Sequence, residues 1–256
     1  MIRSIYPYWS APKNIHAFTS TRTGGISCTP FDSLNIGSQT NDILEHVSEN
    51  RRRLIQAEQI PSEPYWLYQT HSTTVLDISS IKLQSPTGIA DKTQIIEADA
   101  TYTWQAKQVS VVLTADCMPV LFCSRYGDEV ASAHAGWRGL CYGILEETIK
   151  KFACPRSDIL AWMGPAIGAK KFEVGHEVKT QFEDADPEAK KAFKVVNPTE
   201  QKYLADLYLI ARQRLNSMGV TKIFGGDYCT YTEQDKFYSY RRENKTGRMA
   251  SMIWFE

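Results

Sequence analysis

The chain has 256 residues, 43% of them hydrophobic and 23% charged, enough for one large globular domain or two small ones. Lysine plus arginine equals aspartate plus glutamate at 29 each, so no overall field draws nucleic acid or an anionic membrane. No apolar run reaches the length of a membrane-spanning helix, no signal-peptide pattern opens the chain, and the six cysteines contain no CxxC pair; a cytoplasmic protein with reduced thiols is the expectation.

In chain order, Asn41 and Asp42 are suited to cap a helix running to about Gln59, with Ile43, Leu44, Val47, Leu54 and Ile55 as its apolar stripe and Arg51-Arg52-Arg53 on its solvated face. Thr73 to Ile78 reads as a strand. Residues 79–98, with Ser, Pro, Gly and mixed charge, read as a long connection. Val109 to Leu113 is a β-branched run leading into Thr114-Ala115-Asp116-Cys117. Leu140, Ile144, Leu145, Ile149 and Phe152 predict a helix that Pro155 stops, and a second helix is predicted from about Thr199 to Met218 with Gly219 at C′. Further strands are predicted over Ile159–Met163, Thr221–Phe224, Phe237–Arg241 and Met249–Phe255. The alternation is not a regular βαβ series, so the expected class is α+β with mixed sheets, as one domain over residues 1–256.

The run His134-Ala135-Gly136-Trp137-Arg138-Gly139 begins seventeen residues after Cys117, and the stretch between is the most informative part of the chain. Pro119–Ser124 and Glu129–His134 are β-prone, and Arg125-Tyr126-Gly127-Asp128 between them reads as a hairpin turn. A turn centred near Tyr126 and Gly127 places His134 opposite Pro119, with Cys117 just beyond the same open end. Thiolate and imidazole suit either zinc or covalent acyl chemistry. His71, before a strand, would complete a His2Cys set, and three ligands with one open position is the catalytic zinc arrangement. Against this stand the ordinary roles of such residues: a histidine satisfied by hydrogen bonds and a buried, inert cysteine. His16, His46 and His176 lack such company; His46 reads as solvated on a helix and His176 as a helix-start residue.

Asp116 is suited to orient a ligand histidine, to act as acid–base, or simply to cap a turn. Gly136-Trp137-Arg138-Gly139, between strand and helix, offers free backbone N–H groups beside Arg138 for an anion such as phosphate; the alternative is a tight turn with Arg138 in an ion pair. In Ser239-Tyr240-Arg241-Arg242 a strand would send Arg241 and Arg242 to opposite faces, one towards a pocket. Trp66, Tyr68, Trp137 and Tyr240 are candidates to stack on a flat base.

Taken together, these stretches resemble the YfiH-like proteins, also called the laccase-domain or polyphenol oxidase family. The resemblance rests on Thr21-Arg22-Thr23-Gly24-Gly25, Ser33-Leu34-Asn35-Ile36-Gly37, Glu49-Asn50-Arg51, Gln69-Thr70-His71 and Ala98-Asp99-Ala100. It continues through Thr114–Val120, His134–Gly139, Gly164-Pro165-Ala166-Ile167-Gly168, Phe172-Glu173-Val174-Gly175, Cys229-Thr230, Phe237–Arg242 and Thr246-Gly247-Arg248, almost the whole chain in order. It implies a layered αββα sandwich similar to the catalytic domain of a bacterial toxin deamidase. It also implies zinc, with copper as the alternative ion, on His71, Cys117 and His134. The implied activity is phosphorolysis of adenosine, inosine, guanosine and methylthioadenosine, with adenosine deamination at the same site. Purine nucleosides and phosphate would be the partners of a monomer or homodimer. Cys117, His134 and Asp116 are then the catalytic candidates, and Arg138, Arg241, Asn35 and Arg22 the substrate or phosphate contacts. Gln39 stands where the family often has His, Thr70-His71-Ser72 replaces the commoner Val-His-Gly, and Ala169-Lys170-Lys171 replaces a Pro-Cys-containing segment; none of these departures changes a ligand residue.

Three rival readings remain at this stage. A multicopper oxidase needs more imidazoles than the five histidines present, and Met118 follows Cys117 too closely to serve as a blue-copper axial ligand. A metal-free hydrolase would use Cys117 as nucleophile and His134 as base. A non-catalytic binding module would leave the intact ligand set without a task.

Overall fold

The computed structural model describes residues 2–81 and 96–256. The central part of the predicted 79–98 connection therefore lies outside the described residues. In chain order the elements are β1 (Ser4–Ile5), β2 (Ile15–Ser20), α1 (Leu44–Ala57), β3 (Val75–Asp77), β4 (Ala100–Thr103), β5 (Ser110–Thr114), β6 (Met118–Ser124) and β7 (Val130–Ala135). Then follow α2 (Trp137–Tyr142), α3 (Ile144–Ile149), β8 (Ile159–Met163), β9 (Glu173–Val174), α4 (His176–Ala185), β10 (Phe193–Asn197) and β11 (Lys202–Ala205). The chain ends with α5 (Leu207–Ser217), β12 (Lys222–Gly225), α6 (Tyr240–Glu243) and β13 (Met249–Phe255).

Two sheets stack face to face. One is an antiparallel sheet in the order β1-β2-β13-β5; the other is a mixed sheet in the order β12-β8-β6-β7-β4-β3, with parallel pairing at both edges. A small sheet, β10-β11-β9, lies apart from them in the hydrogen-bond ladder. The stack follows from period-two alternation. On β6, Val120 and Phe122 join a core with Leu140, Ile144 and Leu145 of the helices, whereas Leu121 and Cys123 pack with Trp162, Ile253 and Phe255 between the sheets. On β13, Met252 and Trp254 point the other way, to Leu54 of α1 and to Phe18. The layers therefore run helix, sheet, sheet, helices, the α+β sandwich expected, with the central strands β6 and β13 buried on both faces.

Several elements differ from their sequence reading. The helix predicted over Thr199–Met218 is a strand followed by a shorter helix: Asp206 accepts a hydrogen bond from Leu209 N and starts α5 there, while Lys202–Ala205 pairs with β10 and β9. The helix predicted through Phe152 is cut in two by Gly143, whose φ of 102° is left-handed and ends α2. The strand predicted over Phe237–Arg241 is instead a cap and a turn of helix, because Ser239 accepts from Arg242 N and opens α6. Arg51 is not on a solvated face: it donates to Ile36 O and stacks 3.9 Å over the Trp66 ring, while Arg52 and Arg53 pair with Glu49.

Candidate metal centre and cavity

The β6–β7 hairpin forms as predicted, with Pro119 opposite His134. Its open end presents Cys117 on one side and His134 on the other, and the loop before β3 brings His71 between them. The ligand atoms of His71, Cys117 and His134 all lie within 4.8 Å of one another. Cys117 Sγ is 3.8 Å from His71 Nε2, and the two imidazoles meet edge to face at 4.8 Å between centroids.

A buried carboxylate fixes this corner. Asp99 Oδ1 accepts from His134 Nδ1 at 2.8 Å and from His71 N at 3.0 Å; Oδ2 accepts from Ser72 N and Oγ, each at 2.7 Å. With Nδ1 committed, His134 turns Nε2 towards Cys117 and the cavity. Asp99 thus does what Asp116 was considered for. The sequence showed Asp99 only as part of a matching stretch; its role appears once β4 pairs with β7 and His134 N donates to Asp99 O. Gly136 completes the cradle: a Cβ there would come within 2.8 Å of His71 Cδ2 and 3.0 Å of Cys117 Sγ.

The electrostatics suit a thiolate. Burial raises the Cys117 thiol, but the charge and hydrogen bonding of His134 and His71 outweigh it and bring it down to about 6. Burial lowers His134, and the Cys117 thiolate with the Asp99 bond reverses that, lifting it to about 9. Burial also works against the Asp99 charge, yet the bonds from His134 and Ser72 hold its carboxyl down at about 2.

These residues fit a metal ion. A tetrahedral zinc site with bonds of about 2.0–2.3 Å sets its donors about 3.5 Å apart; the Cys117–His71 pair stands at 3.8 Å and all three donor atoms lie within 4.8 Å, so small side-chain rotations bring them to an ion. Two imidazoles and one thiolate leave a fourth position open towards a cavity of about 510 Å³. Its walls carry the apolar Leu67, Leu113, Ile167 and Phe172, the ring of Tyr240, and the guanidinium groups of Arg241 and Arg248. Gln69 ties the loop to β5, donating to Leu113 O and accepting from Leu113 N.

The remaining candidates fall in three places. Asp116 lines the cavity with a φ of 93°, and its carboxylate accepts from Thr230 Oγ1 at 2.6 Å and from Arg241 N at 2.7 Å. Arg241 also faces the cavity, 5.4 Å over Phe172 and donating to Glu173 O. Arg242 turns away, to Thr230 O, Tyr231 O and Phe237 O. Arg138 is exposed and stacks 4.4 Å over Trp137, off the cavity wall. Arg22 pairs with Glu243 at the end of α6, and Asn35 is fully buried, donating to Thr40 and Asp42 and accepting from Gly37 N and Arg248 N. Of the proposed base-stacking aromatics, the structure brings Tyr240 to the cavity; Trp66 lies under Arg51 and Trp137 under Arg138. Arg248 stood in the sequence only as part of the matching stretch Thr246-Gly247-Arg248, with no role, because nothing around it marks a guanidinium whose stem packs against residue 37.

Known proteins are similar to this chain over nearly its whole length. The family model described as multi-copper polyphenol oxidoreductase laccase matches residues 16–256. A Haemophilus influenzae protein named purine nucleoside phosphorylase is 51% identical over 100% of both chains. Escherichia coli purine nucleoside phosphorylase YfiH is 51% identical over 99% of each. A solved Neisseria meningitidis protein shares 42% identity and superposes with a TM-score of 0.90 over 99% of both chains. Similarity of this extent, in sequence and in fold, shows that the chain belongs to the YfiH-like, laccase-domain family.

Proposed function

We propose that this protein is a zinc-dependent purine nucleoside phosphorylase acting on adenosine, inosine, guanosine and methylthioadenosine, with adenosine deamination at the same site, and that residues 1–256 work as one catalytic unit. The observation that carries the reading is the His71–Cys117–His134 cluster opening on a cavity with apolar walls and two arginines. Relatives at 44–51% identity bear the name purine nucleoside phosphorylase, which supports it.

A zinc ion held by His71, Cys117 and His134 would supply Lewis-acid polarisation of a bound oxygen and would lower the pKa of a bound water. The chain's own groups do the rest. Leu67, Leu113, Ile167 and Phe172 give a flat purine a dry face, and Tyr240 can stack on it. In phosphorolysis a phosphate oxygen bonds to ribose C1′ while the C1′–N9 bond breaks; its electron pair leaves with the purine, which takes up a proton. Asp116, held by Thr230 and the Arg241 amide, is the wall carboxylate placed to pass that proton. Arg241 contributes positive charge on the phosphate side. Arg138 lies off the wall; Arg22 braces α6 through Glu243, which keeps Tyr240 and Arg241 in place.

The test is Cys117→Ala assayed with inosine and phosphate, following hypoxanthine and ribose 1-phosphate alongside metal content. Phosphorolysis and metal should be lost together; full activity in a metal-free variant overturns the assignment. The family description also names copper oxidase chemistry. Among the described residues, one cluster of three metal-ligating side chains is present, fewer than a multicopper centre uses. Turnover of inosine under anaerobic conditions with zinc alone separates the two.

A further inference from the structure

We infer that Arg248 is the residue that binds the phosphate co-substrate, an inference that rests on the phosphorylase reading above. Its guanidinium sits on the cavity wall, half-buried, with Nη1 donating to Thr246 O and Gly247 O, both at 3.0 Å. Among the described residues no carboxylate pairs with it, and Nε and Nη2 have no hydrogen-bond partner. A guanidinium drawn out of water without a counter-ion is costly, and an oxyanion in the cavity would offset that cost with two parallel N–H···O bonds. Arg241, by contrast, is exposed and already donates to Glu173 O.

The surroundings are shaped to present Arg248. A Cβ at Gly37 would lie 2.7 Å from Arg248 Cγ, so glycine leaves room for the arginine stem. Asn35 Oδ1 accepts from Arg248 N at 2.9 Å, and Arg248 O accepts from Ile36 N. Asn35 is thus a positioning residue that acts through Arg248. The acidic groups that face Arg248 across the cavity are Cys117, which belongs to the metal cluster, and Asp116, whose two oxygens are occupied by Thr230 and the Arg241 amide; neither forms an ion pair with it, and the Tyr240 ring lies 6.0 Å from its guanidinium. Inorganic phosphate fits the site: it is compact, dianionic and reaches the same cavity as the three converging ligands.

The experiment titrates inorganic phosphate calorimetrically into the metal-loaded protein, its Arg248→Met and Arg248→Lys variants, and Arg125→Met, an exposed arginine paired with Asp158, as the charge control. Arg248→Met should weaken phosphate binding about tenfold or more and raise the phosphate KM equally, with metal content unchanged; Arg248→Lys should recover part of the affinity. In the unmutated protein, phosphate should protect Arg248 from phenylglyoxal, a readout independent of variant folding. Wild-type affinity in Arg248→Met, an equal loss in Arg125→Met, absence of protection, or binding of nucleoside monophosphate but not free phosphate overturns the inference. Phosphate binding that depends on Arg248 without any inosine cleavage keeps the anion site and rejects the phosphorylase reading.

Discussion

The two ends of the β6–β7 hairpin share one ladder and one apolar style, yet only the open end gathers a cluster of side chains that could hold a metal ion. At the closed end the polar groups serve one another: Gly127 N and Asp128 N donate to Ser124 Oγ, Ser124 donates to Asp128, and Arg125 pairs with Asp158. At the open end the strands are not joined by a turn. Segments distant in sequence, 69–72 and 98–99, close over them and bring three metal-ligating atoms to one point. A hairpin therefore offers a rigid base on which long-range loops assemble a centre, while its own turn spends its polarity on stability.

The sharpest break in that comparison is between two cysteines at opposite ends of β6, Cys117 just before its start and Cys123 near its end. Burial raises Cys117, but His134 and His71 outweigh it and set it at about 6; burial pushes Cys123, between the sheets, up to about 12. The thiolate is the nucleophile. After chelation, iodoacetamide should therefore modify Cys117 at a rate that is level above pH 7 and falls as pH drops through 6, while Cys123 stays unmodified through pH 9. Peptide mass spectrometry reads both, and zinc should protect Cys117. Equal labelling, or a Cys117 rate that climbs through pH 8–9 as an ordinary thiol does, would contradict the proposed thiolate–imidazole corner.

Next in size is Gly136→Ala. Its φ of −66° accepts alanine, so the backbone is not strained, but the new methyl meets His71 and Cys117. Metal affinity should fall about a hundredfold with little change in melting temperature, measured by competition with a chromophoric chelator. Asp99→Asn follows: it keeps the volume but removes the charge that holds His134 in one tautomer, for an expected loss of about ten- to a hundredfold in metal affinity. An Asp99→Asn protein that binds metal like the wild type would show that the loop, not the carboxylate, orients His134.

How much of this was legible in the sequence depends on whether a feature is local. The hairpin register follows from two apolar, β-prone runs about a glycine turn, and β8 and β13 from short apolar runs; the structure reproduces them. Residues 199–218 and 237–241 misled because Asp206 and Ser239 are single capping residues inside stretches whose composition suits another element. His71 and Asp116 adopt φ values of 62° and 93°, which no residue pattern announces. Asp99 reaches His134 across 35 positions, and Arg248 depends on Asn35 and Gly37 more than 200 positions earlier. Chemistry set by residue type was readable; chemistry set by which loops close over the hairpin was not.

The smallest expected effect tests the quiet end. Gly127 has a φ of 75°, and a Cβ there would press on the Asn14 side chain, whose amide donates to Gly127 O. Gly127→Ala should cost about 1–2 kcal/mol of stability from the left-handed backbone, seen as a lower midpoint in urea unfolding. Because Phe122, Val120 and Leu121 lie packed between that turn and Cys117, the strain should be absorbed before it reaches the ligands. Metal affinity and inosine cleavage measured well below the unfolding transition should match the wild type. If they fall with stability, the hairpin transmits strain along its length, and the division between a structural end and a chemical end is wrong.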